Sequence, residues 1–385
     1  MATIKEWLKK RNFILLILFL LVTFSTFAIS LVNLGRFYAL DELDYTEWTA
    51  DLGNPFETDL TSNLLGKVKY VDFNGLMRRA LGQPEMNGII KLKNGYLVSP
   101  MTQVSYDTIE RKANELGRVN QIMKSKGIHF LYVATPYAVS KYDQQLPKGY
   151  VESGNENIDA MLEALHERDV KYIDVREKIH ENGLNQYDMW YKTDHHWSTE
   201  GAFFTFSQIV EFLEKDINLE IDQKILDESS YEKVTYEKWH LGSCGQRTGR
   251  FYAGVDDFTL YYPKFETDLN HVEFKDCMYD YEPLQNRNYM SRYTYDNVLG
   301  GSLGHWVNGL SSNDSKALVI CDSMGKAIMP FISLAFSESM VLDANEITND
   351  ILNEYNPDVV LMILHPRELV EGEYQDIYYI FNNLE

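Results

Sequence analysis

The strongest constraint on this chain is an alternation of amphipathic helices with short apolar runs. From Tyr106 to Lys126, the residues Tyr106, Ile109, Ala113, Leu116, Val119, Ile122 and Met123 recur at helical spacing. Gly127 suits a helix end. Residues 128–134 (IHFLYVA) then read as a buried strand running into Thr135-Pro136-Tyr137. The pattern repeats as a helix from Ile158 to Arg168 and a strand from Val170 to Val175. It returns in the last third of the chain, with strands at Ala317–Cys321, Met340–Asp343 and Asp358–Leu364, and helices at Met324–Phe336 and Ile347–Tyr355. Such alternation predicts an α/β fold with a doubly wound parallel sheet. Crossovers in such sheets are right-handed, and ligands bind at the carboxyl ends of the strands. Ser323 and the Thr135-Pro136 turn both fall at such ends. Upstream, Asn94-Gly95 between two apolar runs predicts a hairpin.

The segments outside this alternation predict the layout. Residues 1–12 hold Lys5, Lys9, Lys10 and Arg11 against Glu6, and Phe13 to Leu34 is almost wholly apolar. About 20 apolar residues span a bilayer. The run has no clear small-x-small cleavage site, so it predicts an uncleaved transmembrane anchor over 13–34 behind a cytoplasmic tail over 1–12. The basic flank orients the N-terminus inside and the rest outside the cytoplasmic membrane. A cleaved signal peptide, the alternative, leaves the rest on the same side. Residues 35–85, acidic and broken by Gly53-Asn54-Pro55 and Gly82-Gln83-Pro84, read as a stalk and lead-in segment. Residues 86–385 are the expected catalytic domain. Within it, 217–312 reads as an irregular insertion with short β segments near Phe258–Tyr262 and His271–Phe274. A net charge of −21 argues against a nucleic-acid partner. Three cysteines, Cys244, Cys277 and Cys321, form neither a disulfide framework nor a zinc pattern.

The candidate chemistry lies in two stretches. Thr193-Asp194-His195-His196-Trp197-Ser198-Thr199 puts an acid and two imidazoles ahead of a helix that Ser198 or Thr199 would cap. In an extended segment Asp194 and His196, at i and i+2, lie on one side. There the carboxylate orients one ring nitrogen and leaves the other free as a base. His195 alternates to the opposite side, where it makes a structural hydrogen bond, and Trp197 shapes the turn. Ser323, between a buried strand and a helix, would expose its hydroxyl. The backbone N–H groups of Met324 or Gly325 would then point at a developing oxyanion. Read alone, the His-containing stretch also admits a metal site, with Asp188 or His180 as further ligands, or a satisfied polar turn. The tyrosines from Tyr279 to Tyr295, with Trp306, suit either sugar stacking or internal packing.

Asp194-His195-His196-Trp197 followed by Ser198-Thr199-Glu200-Gly201-Ala202 resembles the signature of the DHHW-motif proteins. It also resembles the alginate O-acetyltransferases of the AlgX/AlgJ type, which are SGNH-hydrolase-like. The order Asp194, His196, then Ser323 within Cys321-Asp322-Ser323-Met324 is similar to that family's permuted triad. Lys93-Asn94-Gly95-Tyr96-Leu97, Thr135-Pro136-Tyr137, Pro357-Asp358-Val359-Val360 and Arg367-Glu368-Leu369 echo further family segments. The similarity runs over about residues 86–385. It implies an SGNH-hydrolase-like, flavodoxin-like fold with Ser323, His196 and Asp194 as catalytic triad. It further implies an acyl-serine enzyme needing no cofactor and no metal. Acetyl would pass from a membrane-bound O-acyltransferase partner to a cell-surface polysaccharide or teichoic-acid-like polymer. An esterase with the same triad and a non-catalytic surface-polymer binding protein are the alternatives. The resemblance suggests Gly242-Ser243 as a source of one oxyanion donor. Arg247 is a candidate for holding an anionic group or pairing with carboxylates. One departure stands out: Cys321 occupies the place of a small glycine before Asp322-Ser323.

Overall fold

The computed structural model describes residues 13–14, 16–21, 23–25, 27–28, 67–285, 294–342, 346–370 and 384. The described part of 13–28 is helical. The expected 1–12 tail lies outside the described residues, as do the remainder of the expected 13–34 anchor and most of the 35–85 stalk. Among the described residues no helix is long and apolar enough to cross a membrane. The chain divides into two compact units, Met1–Asn74 and Gly75–Glu385; the second holds everything described below.

That unit contains, after residues 75–80 in helix, a small antiparallel sheet of β1 (Glu85–Met86), β2 (Ile89–Lys91) and β3 (Leu97–Val98). β2 and β3 form the expected hairpin, and Gly95 at its tip takes φ +93°, a left-handed conformation glycine adopts without strain. The alternating segments follow as α1 (Tyr106–Ser125), β4 (His129–Ala134), α2 (Gly154–His166) and β5 (Lys171–Asp174). Ser105 caps α1 by accepting the Thr108 N–H at 3.2 Å. A short helix, α3 (Val175–Glu181), begins directly after β5. It was not evident from periodicity because a seven-residue helix completes barely two turns; Asp174, ending the strand, caps it by accepting the Arg176 N–H at 3.0 Å.

Next come α4 (Thr199–Ile217), capped by Ser198, and a long antiparallel pair, β6 (Tyr231–His240) and β7 (Asp256–Pro263), with α5 (Ser243–Thr248) between them. The short β segment expected near Phe258–Tyr262 lies within β7, and the structure adds its antiparallel partner β6, which was not expected. The alternation in β6 was masked because seven of its ten residues are charged or aromatic and most face outward. The strand expected near His271–Phe274 is absent: Leu269 and Val272 make one isolated bridge, and Phe274 begins a helical turn to Cys277. The chain ends with β8 (His305–Val307), β9 (Lys316–Cys321), α6 (Gly325–Ala335), β10 (Glu338–Val341), α7 (Asn349–Tyr355) and β11 (Val359–Leu364).

The central sheet has the order β5-β4-β11-β9-β10-β8. Five strands are parallel, and β8 is added antiparallel at the β10 edge, so the sheet is mixed, mostly parallel. Strand order runs outward from β4 to β5 on one side and from β9 to β10 on the other, with β11 inserted between. The carboxyl ends of β4, β11 and β9 therefore lie side by side where the winding reverses. All six residues of β11 are buried, as a strand covered on both faces requires. Truncating Leu361 to Ala should cost about 2–5 kcal/mol, read as a lowered urea midpoint at unchanged slope. A loss below about 1 kcal/mol would contradict its position at the centre of the core.

Candidate active site

The Asp-His-His-Trp stretch is a loop closed on itself. Trp190 and Trp197 form an antiparallel bridge, and the N–H of Ser198 donates to Met189 O at 3.0 Å. The β6–β7 hairpin grips this loop from outside. Asp256 Oδ2 accepts the Thr193 N–H at 2.8 Å and the Thr193 hydroxyl at 2.7 Å. The Gly242 N–H donates to Thr193 Oγ1 at 2.9 Å, and the Gly245 N–H to Thr193 O at 2.8 Å. The insertion is thus part of the site's scaffold.

Asp194 is fully buried yet amply satisfied. Its Oδ1 accepts the His195 N–H at 2.8 Å, the Ser243 N–H at 3.1 Å and the Ser243 hydroxyl at 2.8 Å. Its Oδ2 accepts His240 Nε2–H at 2.9 Å and lies 3.2 Å from His196 Nδ1. Burial opposes the charge of Asp194. His196 and the contacts from His195, His196 and His240 outweigh that and hold the carboxyl well below the usual range.

His196 reaches across the molecule. Its Nε2 lies 2.7 Å from Ser323 Oγ, a contact between residues 127 apart in sequence. Its ring stacks on Tyr295, with centroids 4.0 Å apart and planes 10° apart, and packs against a tilted His195 ring at 3.8 Å and 38°. Burial lowers His196 to about 4, the neighbouring His195 adds to the effect, and Asp194 resists it. At neutral pH the imidazole is therefore uncharged and able to take a proton. Trp197 is fully buried, and its Nε1–H donates to Met324 O at 3.1 Å, tying the start of α4 to the Ser323 turn.

Ser323 stands between β9 and α6. Asp322 shapes its turn: Oδ1 accepts the Met324 N–H at 2.8 Å and Oδ2 the His365 N–H at 2.7 Å. Burial raises the Asp322 carboxyl to about 6 against the pull of these backbone donors. Cys321, in the place of a small glycine, is accommodated by Gly325. A Cβ on Gly325 would lie 2.1 Å from Cys321 Sγ.

Several expectations are corrected by this geometry. His195 does not turn away from Asp194. Its Nδ1 lies 3.0 Å from Asp194 Oδ1 and 2.7 Å from Ser243 Oγ, because the closed loop coils instead of extending. The N–H groups of Met324 and Gly325 are already engaged, by Asp322 Oδ1 and Asp322 O. Gly242 and Ser243 spend theirs on Thr193 and Asp194, so they hold the carboxylate and supply no oxyanion donor. Gly242 is required by close approach, since a Cβ there would lie 2.2 Å from Asp194 Cβ. Arg247 is exposed, and its guanidinium donates to Asn87 O at 2.8 Å. The Thr135 hydroxyl bridges strand ends by donating to Leu364 O at 2.8 Å. Tyr279 and Tyr295 pack inward, while residues 286–293 of the tyrosine-rich section lie outside the described residues.

His240 and His365 were missed. No sequence signal marks His240, which ends an outward-facing strand. His365 follows the last buried strand directly, and the rule that located Ser323 applies to it equally. For a metal, Asp194, His195 and His196 offer donor atoms within 4.8 Å of one another. Each of these residues is engaged by Ser323, Ser243 or His240, an arrangement that suits proton transfer better than chelation.

Residues 98–237 match the family described as "ALGX: SGNH hydrolase-like domain, acetyltransferase AlgX". This stretch is therefore similar to an SGNH hydrolase-like domain of the AlgX type. The matched stretch includes Asp194 and His196 and ends before Ser323. The fold of the chain is similar to that of Bacillus cereus PatB1, at 22% identity and TM-score 0.60, over 76% of this chain and 99% of that one. A second PatB1 structure, carrying a sulfonyl adduct, matches at 20% identity and TM-score 0.60, over 77% and 99%. A DHHW family protein from Eubacterium siraeum matches at 18% identity and TM-score 0.55, over 78% and 97%. No curated protein sequence matches.

The contact between Cys321 and Gly325 yields a test within this domain. Gly325→Ala should lower the melting temperature and esterase activity together. Cys321→Gly in the same chain should restore most of both, a coupling of about 0.5–3 kcal/mol. Simple addition of the two single effects would refute the steric account.

Proposed function

We propose that this chain is a polymer O-acetyltransferase working through Ser323, His196 and Asp194. The observation that carries the reading is the 2.7 Å contact from His196 Nε2 to Ser323 Oγ, with the buried Asp194 carboxylate behind the ring. In the first half-reaction Ser323 Oγ attacks an acetyl ester carbonyl while His196 Nε2 takes its proton. Collapse expels the donor's oxygen, which leaves with that proton. In the second half-reaction an acceptor hydroxyl gives its proton to His196 and attacks the acetyl-serine. The proton then returns to Ser323. Asp194 keeps the imidazole oriented and offsets its transient positive charge.

The AlgX family match supports acetyl transfer to a polysaccharide as the reaction class. We take the acceptor to be a cell-surface polysaccharide or teichoic-acid-like polymer. The acetyl group would come from a membrane-bound O-acyltransferase partner, since the apolar 13–34 run supports an anchored domain outside the cytoplasmic membrane. Protease added to intact cells should then digest the domain; protection would refute that placement.

Ser323→Ala tests the reaction. Acetyl content of the surface polymer, and acetyl release from p-nitrophenyl acetate, should fall by about 10³-fold or more. Full activity in that variant sinks the triad. A sulfonyl fluoride should label wild type at Ser323 and leave Ser323→Ala unlabelled. The pH dependence is a separate check. His196 must be neutral to act, so activity is lost as pH falls through its value of about 4. The acid limb of kcat/KM should lie near 4. A limb between about 6 and 7 would show that the buried ring does not act as this base.

A further inference from the structure

One buried polar atom beside the Ser323 turn has no partner. His365 follows β11 directly, and its backbone N–H donates to Asp322 Oδ2 at 2.7 Å. β11 and β9 pair with Ile363 opposite Cys321, so His365 and Ser323 each stand two residues beyond that pair. Both lie at the carboxyl end of adjacent strands. The His365 ring has a fixed tautomer. Its Nδ1 accepts the Arg367 N–H at 3.1 Å and caps the 3-10 turn Pro366–Leu369. An accepting Nδ1 carries no proton, so the proton is on Nε2. That Nε2 is buried and meets no acceptor among the described residues. The side chain is only 4% exposed and stands edge-on to His195, with ring centroids 5.6 Å apart.

Leaving a buried N–H unpaired costs about 1–3 kcal/mol. A site that tolerates this cost is set up for an acceptor that arrives later. The other donors expected around Ser323 are engaged, as described above. The backbone N–H of Ser323 belongs to the same turn, between Asp322 and Met324. We propose that His365 Nε2–H, together with the Ser323 N–H, binds the oxyanion formed at the acyl carbonyl. This rests on Ser323 being the nucleophile. As Ser323 Oγ bonds to the carbonyl carbon, the C=O π pair moves onto oxygen and the Ser323 proton moves to His196. When the C=O reforms, the bond to the donor's oxygen breaks, and that oxygen takes the proton from His196. The His365 proton is not transferred at any stage. Burial, then the neighbouring His195, Arg367 and His196, keep the His365 ring well below its ordinary pKa. It therefore stays a neutral donor across the working range, in the manner of an electrophilic imidazole.

Two substitutions in the full-length chain separate this role from a structural one. Ser and Asn at 365 can both accept the Arg367 N–H and keep the cap; only Asn also presents a side-chain N–H. With p-nitrophenyl acetate, His365→Ser should lose about 10²–10³-fold in kcat, with KM within about threefold and the acid limb unmoved. His365→Asn should recover at least about a tenth of wild-type kcat. The proposal is overturned if His365→Ser keeps kcat, if Asn and Ser fall alike, or if the loss comes with a shifted acid limb. In wild type, the NMR resonance of His365 Nε2–H should move downfield when a serine-directed phosphonate places a phosphoryl oxygen at the site. No movement in a fully labelled protein overturns the proposal without recourse to any variant. If instead Ser323→Ala retains acetyl release, it is the nucleophile assignment that has failed.

Discussion

A carboxylate held at zero exposure needs every lone pair answered, and Asp194 organises the site by demanding those partners. Three donors reach Oδ1, and His240 reaches Oδ2 while His196 stands close by. They come from the Asp194 loop itself, the end of β6 and the start of α5. Without the carboxylate's charge there would be little to bring a hairpin strand, a helix start and a coiled loop to one point. The glycine at 242 follows from the same demand, because only a residue without Cβ lets the backbone approach so closely.

The sheet contributes the other half. Ser323 and His365 leave adjacent parallel strands at the same end, and Asp322 joins them by accepting one backbone N–H from each side of the gap. The turn is therefore braced without using the Ser323 hydroxyl, which remains available to His196. Stacking on Tyr295 and the tilted contact with His195 restrict the ring plane of His196. Desolvation by these same rings is what lowers the imidazole's pKa and keeps it a base.

Much of this was legible in the sequence because periodicity reports burial. β9 and β11 are continuous apolar runs, as strands covered on two faces must be, and the rule for strand ends then singled out Ser323. The pairing of Asp194 with His196 was legible from spacing. The β6 half of the hairpin was not, because the exposed pairs Glu232-Lys233 and Glu237-Lys238 break up the spacing of its less exposed Tyr231, Val234, Tyr236 and Trp239. His195 was misplaced because alternation holds only in an extended chain, and the bridge from Trp190 to Trp197 coils this one. The roles given to Gly242, Ser243, Met324 and Gly325 failed for a common reason. A backbone N–H is visible in any sequence, but whether it is already engaged depends on a neighbour such as Asp322 that folding supplies.

The contact between His196 and Ser323 closes a loop of 127 residues. Contacts of such separation form late, after the entropy of the intervening chain has been spent. The base is carried by a loop gripped by the hairpin, and the hydroxyl by the sheet, so neither half has reactivity by itself. Under the proposed reaction, a partly folded or clipped chain would hold an ordinary serine, and acyl chemistry would require both halves to dock. Reactivity of Ser323, on that proposal, would serve as a built-in readout of completed assembly.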